Sequence, residues 1–451
     1  MQPRRLFAHA LLLLLPLAVV ADPPASQEAP RGFQERITCQ RDASQSYALF
    51  LPAAYDPARP WPVLFCFDPR ARGDLPVRLF AAAAEKHGYI VAGSYNSRNG
   101  PLADNDVAVA ALLREVAERY AIDRDRVYVA GFSGGARVAT RVCLSGFAKA
   151  AIACGGGFLD HDQTPERLAF DFLGYAGSDD FNHDEMRRIQ DDLKGATVAH
   201  ELVVFPGGHS WLPESHTEPA LEWLDTQHRH AGLRARYRNF AVSLIQRRQT
   251  GLAGLPAPEP YLACTALLNA ADPWLDRDAL SRQRRELLRT VPDRATVRSL
   301  ERRQNALVDA WLLEAEKALD PGAAATTLAR WHRQAIEPGS ASEAIVARGA
   351  LVGAVLHACH RTSVALAEER FAPDALYWAK LAVAAQPDSP LLAYQAACVA
   401  GLGGNHAEAA AMLRPLLRDG RLGASDIAHE PALANSLARS EFRELLQPTS
   451  R

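Results

Sequence analysis

Lysine is nearly missing from this 451-residue chain: Lys86, Lys149, Lys194, Lys317 and Lys380 are the only ones among 50 basic residues. With so much alanine alongside, the arginine excess reads as genomic base-composition bias. Charge of one sign is also lacking. Fifty basic residues stand against 52 acidic ones, a formal net charge of -2. That balance excludes the strongly basic profile of a nucleic-acid binder and gives no sign of a polyanion partner. The seven cysteines at 39, 66, 143, 154, 264, 359 and 398 include no C-x-x-C. Zinc-ribbon and thioredoxin-like chemistry therefore has no support. Cys66, Cys143 and Cys154 lie in apolar runs and read as buried thiols. A disulfide is compatible with export, but the odd, scattered set makes no pairing legible.

A long membrane span is missing at the N-terminus. Arg4 and Arg5 precede an apolar run from Leu11 to Val20, and Val19-Val20-Ala21 offers small residues for cleavage. The run is too short for a spanning helix, and no cysteine follows it to accept a lipid. It reads as a signal peptide over 1–21, implying export to the periplasm or the medium and no integral span after its removal. Residues 22–34 form a polar, proline-containing leader. At 48% hydrophobic and 23% charged residues the remainder is ordinary globular protein with material for a real core, and its length predicts two or three domains.

From about Ile37 to His230 the chain alternates strand-like and helix-like segments. Ser46–Leu51 reads as an edge strand, and Pro62–Phe67, Tyr89–Gly93, Arg126–Ala130, Ala150–Cys154, Phe170–Tyr175 and Glu201–Phe205 as further strands. Helical patterns lie between them, the last over Glu218–His228. Unbroken apolar strands separated by helices predict a mostly parallel sheet covered on both faces, a doubly wound α/β domain over 35–232. Beyond it strands nearly vanish: 233–370 reads as a helical region. Over 371–451, Ala375, Ala379, Ala382 and Pro387 are followed after 34 residues by Ala409, Leu413 and Leu416, with Gly403-Gly404-Asn405 at a turn. This resembles tetratricopeptide repeats, closed by a cap over Glu430–Leu446, and offers a surface for a protein partner.

Gly131-Phe-Ser-Gly-Gly135 sits between the strand at 126–130 and a helical segment from Ala136 to Cys143. A serine on so sharp a turn projects its hydroxyl above the sheet, and the flanking positions must be nearly free of side chain. Ser133 is the candidate nucleophile. A serine hydroxyl needs a base, and the base needs an orienting acid. His209 in Pro206-Gly-Gly-His-Ser-Trp211 follows the last strand and supplies the base; Trp211 and Pro213 read as walls. His183, His216, His228 and His230, in polar surroundings, read as surface residues, and His357 and His360 beside Cys359 as a weak metal candidate. Asp179 and Asp180 follow the strand before. Asp180, three residues after Gly177, is favoured as the acid because that turn aims it at the histidine loop; Asp179 then caps the next helix or faces water. An oxyanion hole needs two backbone N–H groups. Gly134 and, in Asp68-Pro-Arg-Ala-Arg-Gly73, Arg70 are the candidates, since Pro69 has none. Arg72, and Asn96 on the 95–100 loop, are candidate pocket residues.

These features resemble the α/β-hydrolase superfamily over residues 46–225, closest to secreted esterases of the polyhydroxybutyrate-depolymerase, feruloyl-esterase and dienelactone-hydrolase type. The matching residues are Tyr47–Pro52, the serine turn, Gly177–Asp180 and Gly207–Trp211. The resemblance implies a Ser133–Asp180–His209 triad, an acyl-enzyme, a small-molecule or polymer-derived ester as substrate, and no metal or organic cofactor. Two departures stand out. Asp68-Pro69 replaces the usual His-Gly oxyanion signature, and the stretch from Ser133 to Asp180 has little room for a lid. The alternatives are a binding or scaffold protein with a vestigial hydrolase domain, and a peptidase of the same fold.

Overall fold

The computed structural model describes residues 30–159, 168–194, 196, 198–251, 258–270, 276–317, 322–366 and 371–446. The expected signal peptide and most of the leader lie outside them. Contacts divide the chain into two compact units, meeting in sequence at His228 and Arg229.

The first unit is built on eight strands: β1 (Gly32–Thr38), β2 (Ser46–Leu51), β3 (Trp61–Phe67), β4 (Ile90–Ser94), β5 (Ile122–Phe132), β6 (Ala150–Cys154), β7 (Asp171–Gly177) and β8 (His200–Phe205). They form one sheet in the order β1-β2-β4-β3-β5-β6-β7-β8. β2 runs antiparallel to both β1 and β4, and every pairing from β4 to β8 is parallel. This is the α/β-hydrolase arrangement. Ser46–Leu51 is not the edge expected from the sequence, because β1 pairs outside it. All seven residues of β1 are half-buried or exposed, so the apolar signal of an interior strand is missing there.

Alternate residues of each central strand feed opposite layers. Val63, Phe65, Phe67, Val127, Val129, Ala151 and Ala153 pack on one side with α2 (Leu102–Arg119), α3 (Gly134–Leu144) and α4 (His183–Asp192). Leu64, Cys66, Tyr128, Ala130, Ile152 and Cys154 pack on the other with α1 (Asp74–His87) and the start of α5 (Thr217–Gly251). The period of two explains why the strands read as unbroken apolar runs: both faces are covered. α5 runs past His228, where the sequence reading ended it; no proline interrupts it after the first turn.

The second unit is helical: α6 (Glu259–Ala270), α7 (Arg277–Thr290), α8 (Arg294–Lys317), α9 (Gly322–Ile336), α10 (Ala341–Ala365), α11 (Phe371–Ala385), α12 (Pro390–Leu402), α13 (His406–Arg418), α14 (Ala424–Ala428) and α15 (Ser440–Leu446). α10 is long and apolar enough to cross a membrane, with a mean hydropathy of 1.3. It packs instead against α6, α8, α9 and α11 as the centre of the unit. Ala375, Ala379 and Ala382 on α11 and Ala409, Leu413 and Leu416 on α13 are all buried, and Gly403–Asn405 joins α12 to α13. His230 is not a surface residue. It is buried, and desolvation together with Arg234 and Arg229 pushes its pKa down to about 3.

All seven cysteines are buried and unpaired. Burial raises their thiol pKa values, Cys39 and Cys264 to about 11 and Cys154 to about 12, so thiolate is scarce and access is blocked. A thiol-reactive chromogen should therefore label no cysteine in the native protein and all seven in denaturant; rapid native labelling, or fewer than seven after denaturation without reductant, would contradict this packing.

Candidate active site

The serine turn is dictated by lack of space. β5 delivers Gly131 to the end of the sheet beside Phe67 of β3. A Cβ on Gly131 would overlap the Gly135 carbonyl, and one on Gly135 would overlap the Phe67 carbonyl. Ser133 between them holds φ 55° and ψ -120°, a region costly for a residue with a side chain. Its N–H donates to the Cys154 carbonyl at 2.8 Å, and its own carbonyl accepts from Ala136 and Arg137 N–H. α3 begins at Gly134, whose N–H is among the first four of the helix and has no intrahelical acceptor.

Beneath this elbow lies Arg137. Its Nη1 donates to the Ser133 carbonyl at 3.3 Å and its Nη2 to Glu185 Oε2 at 2.6 Å. The other oxygen of Glu185, on α4, accepts from Gly157 N–H at 3.0 Å. The pair is buried, and its two ends tie the nucleophile turn to the loop after β6.

His209 and Asp180 arrive from the loops after β8 and β7. Those loops interlock: Ser178 N–H donates to the Phe205 carbonyl and Asp179 N–H to the Gly207 carbonyl, each at 2.8 Å. A Cβ on Gly177 would overlap the Gly207 and Gly208 carbonyls. His209 Nδ1 lies 2.8 Å from Asp180 Oδ1. The Asp180 side chain is fully buried while the histidine is 19% exposed, so the pair presents its imidazole outward. Asn182 N–H fixes the same carboxylate oxygen at 2.8 Å. Asp179 is exposed, and among the described residues its carboxylate accepts only from the Ser178 hydroxyl, at 3.4 Å. No hydrogen bond joins the Ser133 hydroxyl to the His209 ring among the described residues; such contacts tighten when substrate arrives.

Three neighbours of this pair carry no sequence signal of their own. Gly155, at φ +56°, comes so close that a Cβ there would sit 2.7 Å from Asp180 Oδ2 and 3.0 Å from His209 Nδ1. Phe132 and Phe181 flank the imidazole, with ring centroids 4.6 and 4.1 Å away. Phe181 is 76% exposed, an apolar surface open to solvent beside the histidine.

The Asp68–Gly73 loop departs most from the expected roles. Asp68 is buried. Its Oδ1 accepts from Arg70 N–H and Arg72 Nε and its Oδ2 from Arg72 Nη2 and Trp211 Nε1, all at 2.9 Å. The Arg70 N–H is thus spent on Asp68 rather than open toward the nucleophile, which corrects its expected place in an oxyanion hole. Arg72 is bound bidentately by the same carboxylate, and Trp211 is buried against Phe132 at 6.1 Å. Asn96 likewise turns to the scaffold: Oδ1 accepts from Ser46 N–H and Nδ2 donates to the Ser44 carbonyl. The residue of that loop that does reach the elbow is Asn99. Its N–H donates to the Pro69 carbonyl, and its side-chain amide occupies the space that a Cβ on Gly134 would need.

His357, Cys359 and His360 do not converge as donors. The group of described residues with metal-ligand spacing is His87, Glu218 and Glu222, and the Lys86 ammonium already bonds Glu218.

No family model matches this chain, and no curated protein matches it. Among solved structures it is similar to S-formylglutathione hydrolase from Staphylococcus aureus, at 15% identity over 43% of this chain and 98% of that one, with a TM-score of 0.36. A ferulic acid esterase matches at 18% identity over 43% and 98%, TM-score 0.33, and Thermogutta terrifontis esterase 2 at 16% over 46% and 96%, TM-score 0.37.

Two outcomes follow. Burial alone would raise the Asp68 pKa, but the hydrogen bonds from Arg72, Trp211 and Arg70 outweigh it and hold the carboxyl below its ordinary value. A group depressed in the folded state contributes stability above its unfolded pKa of about 3.9, and that contribution disappears as pH falls through the folded value. Asp68→Asn should therefore be less stable than wild type at pH 7, with the gap in urea midpoint closing below pH about 4; a gap constant down to acid would refute the ionised clamp. Glu185→Ala removes the carboxylate that faces a buried guanidinium and should cost about 3–5 kcal/mol of unfolding free energy, read from denaturant titration of the intact chain.

Proposed function

We propose that the first unit is an exported serine hydrolase that cleaves carboxylic esters. The observation that carries this reading is the His209–Asp180 pair at 2.8 Å, held on two interlocked loops in a unit whose serine turn is forced to φ 55°. A strained serine at the carboxyl end of a sheet, with an oriented imidazole on a neighbouring loop, is a device for acyl transfer.

In the proposed reaction His209 Nε2 takes the proton of Ser133 as Oγ attacks the ester carbonyl. Asp180 holds Nδ1–H and steadies the imidazolium that forms. The developing oxyanion is met by the Gly134 N–H at the start of α3, where the helix dipole also favours negative charge. The Asn99 side chain lies over Gly134 with its Oδ1 nearest; turned so that Nδ2–H faces the elbow, it is the candidate second donor in place of Arg70. The imidazolium then protonates the departing alcohol. Water, deprotonated by His209, releases the acid and regenerates the serine. The exposed Phe181 beside the imidazole suits an ester with an apolar or aromatic group near the scissile bond. The helical second unit is proposed to serve as a partner surface.

The test is covalent labelling with a fluorophosphonate probe and turnover of p-nitrophenyl esters of increasing chain length. Wild type should label and turn over. Ser133→Ala should lose labelling and about 10⁶-fold of kcat, and Asp180→Asn about 10⁴-fold, with both variants folded. A folded wild type that neither labels nor cleaves any ester would sink the proposal and favour the scaffold reading; cleavage of short peptides but not esters would reassign it to a peptidase.

A further inference from the structure

The balanced net charge of the chain hides a strongly basic segment. Between Arg277 and Arg303 stand nine arginines and four acidic residues, Asp278, Glu286, Asp293 and Glu301. The two helices of that segment, α7 and α8, frame a cleft of about 340 Å³ with α6. Its lining is Tyr261, Arg284, Arg285, Leu288, Arg298, Glu301 and Arg302: four guanidinium groups, one carboxylate, one phenol and one apolar wall.

Only one of the four arginines is neutralised. Arg284 pairs with Glu301 and also donates to the Tyr261 hydroxyl at 2.9 Å, while that hydroxyl donates to Glu301 at 2.8 Å. The Arg284 guanidinium lies 5.1 Å from the Tyr261 ring centroid, so the floor of the cleft is a hydrogen-bonded network, in which the buried Arg284 Nε has no acceptor among the described residues. Arg285, Arg298 and Arg302 form no ion pair or side-chain hydrogen bond among the described residues. Arg298 and Arg302 are one turn apart on α8, an arrangement that repels along a helix face and is unfavourable with nothing between the charges. Three exposed guanidinium groups from two helices, without an ion pair among the described residues, line one cleft beside a fixed polar floor; guanidinium forks are the donors that recognise phosphate oxygens.

We propose that this cleft binds a phosphate-bearing anion of two or more negative charges, with Arg285, Arg298 and Arg302 as its ligands and Leu288 against the uncharged stem. The volume lies near the lower end of the roughly 300–1,000 Å³ usual for small-molecule sites, which sets the ligand at the size of a phosphate ester or diphosphate rather than a polymer. A soluble phosphate ester and a phospholipid headgroup share this chemistry. The site is independent of the hydrolase reading and stands or falls without it.

The experiment uses the full chain, with pyrophosphate as the probe in calorimetry and thermal unfolding at low salt. Wild type should bind and gain melting temperature, with the gain shrinking as salt screens the contacts. Arg298→Gln/Arg302→Gln should melt no lower than wild type without ligand, and bind about tenfold more weakly for each guanidinium removed. Arg289→Gln/Arg303→Gln, equal in charge but outside the cleft, should bind like wild type. Co-sedimentation with phosphatidylglycerol vesicles, but not with phosphatidylcholine ones, and its competition by pyrophosphate would identify a lipid headgroup; pyrophosphate binding without vesicle binding would identify a soluble phosphate. Either result supports the site. No pyrophosphate binding by folded wild type, equal weakening in both double variants, or binding of polyglutamate in place of pyrophosphate would overturn it.

Discussion

Everything at the candidate active site hangs on how closely three pieces of backbone approach one another. The end of β3, the end of β5 and the first turn of α3 meet with no volume for a Cβ at Gly131 or Gly135. That closeness forces the chain through a conformation at Ser133 that a residue with a side chain adopts only under constraint. It also fixes where the helix starts, and with it the N–H of Gly134. The surrounding bonds serve the same end: β6 accepts the serine N–H, and Arg137 holds the serine carbonyl from below. A turn so heavily constrained is expensive to build, and the parallel sheet behind it supplies the packing that holds it.

The second constraint is the buried carboxylate of Asp68. It stands where the sequence resemblance leads one to expect a His-Gly signature, yet its four acceptor contacts run to its own loop and to Trp211, two residues past the candidate base. The loop after β3 and the loop after β8 are thereby joined through one charge. The consequence is an exchange of roles. Arg70 and Arg72, which read in sequence as groups facing substrate, are consumed in building the clamp. Asn99, on the next loop and bonded to Pro69, is carried to the elbow in their place.

What could be read from the sequence, and what could not, divides along the range of the interaction. The serine turn was legible because the requirement for glycine is local and steric. Asp180 was separable from Asp179 because its distance from Gly177 sets where a short turn points. The strands were legible because burial on both faces leaves an unbroken apolar run. Gly155 was not, although it too has no room for a Cβ, because its neighbours Asp180 and His209 are 25 and 54 residues away. The clamp at Asp68 escaped for the same reason: its partner Trp211 is 143 residues distant. β1 was missed because a half-buried outer strand has weak patterning, and His230 because a polar sequence neighbourhood does not prevent burial on a long helix.

Net charge is the most misleading average in this chain. A value of -2 excludes a uniformly basic surface, but it does not report how charge is distributed, and electrostatic recognition depends on local density within about a Debye length of 8–10 Å. Arginine enrichment that begins as base-composition bias still has to be accommodated by the fold. Most of the ion pairs in the second unit do so one for one, as with Arg236 and Glu430 or Arg348 and Glu259. The α7–α8 cleft departs from that pattern, because its single carboxylate is already taken by Arg284. Composition can explain why the residues are arginine; it does not explain why three of them line one cavity whose single carboxylate is already paired, while Arg236 and Arg348 each face a carboxylate of their own. That contrast, rather than the number of arginines, marks the cleft as a place where an anion completes the electrostatics.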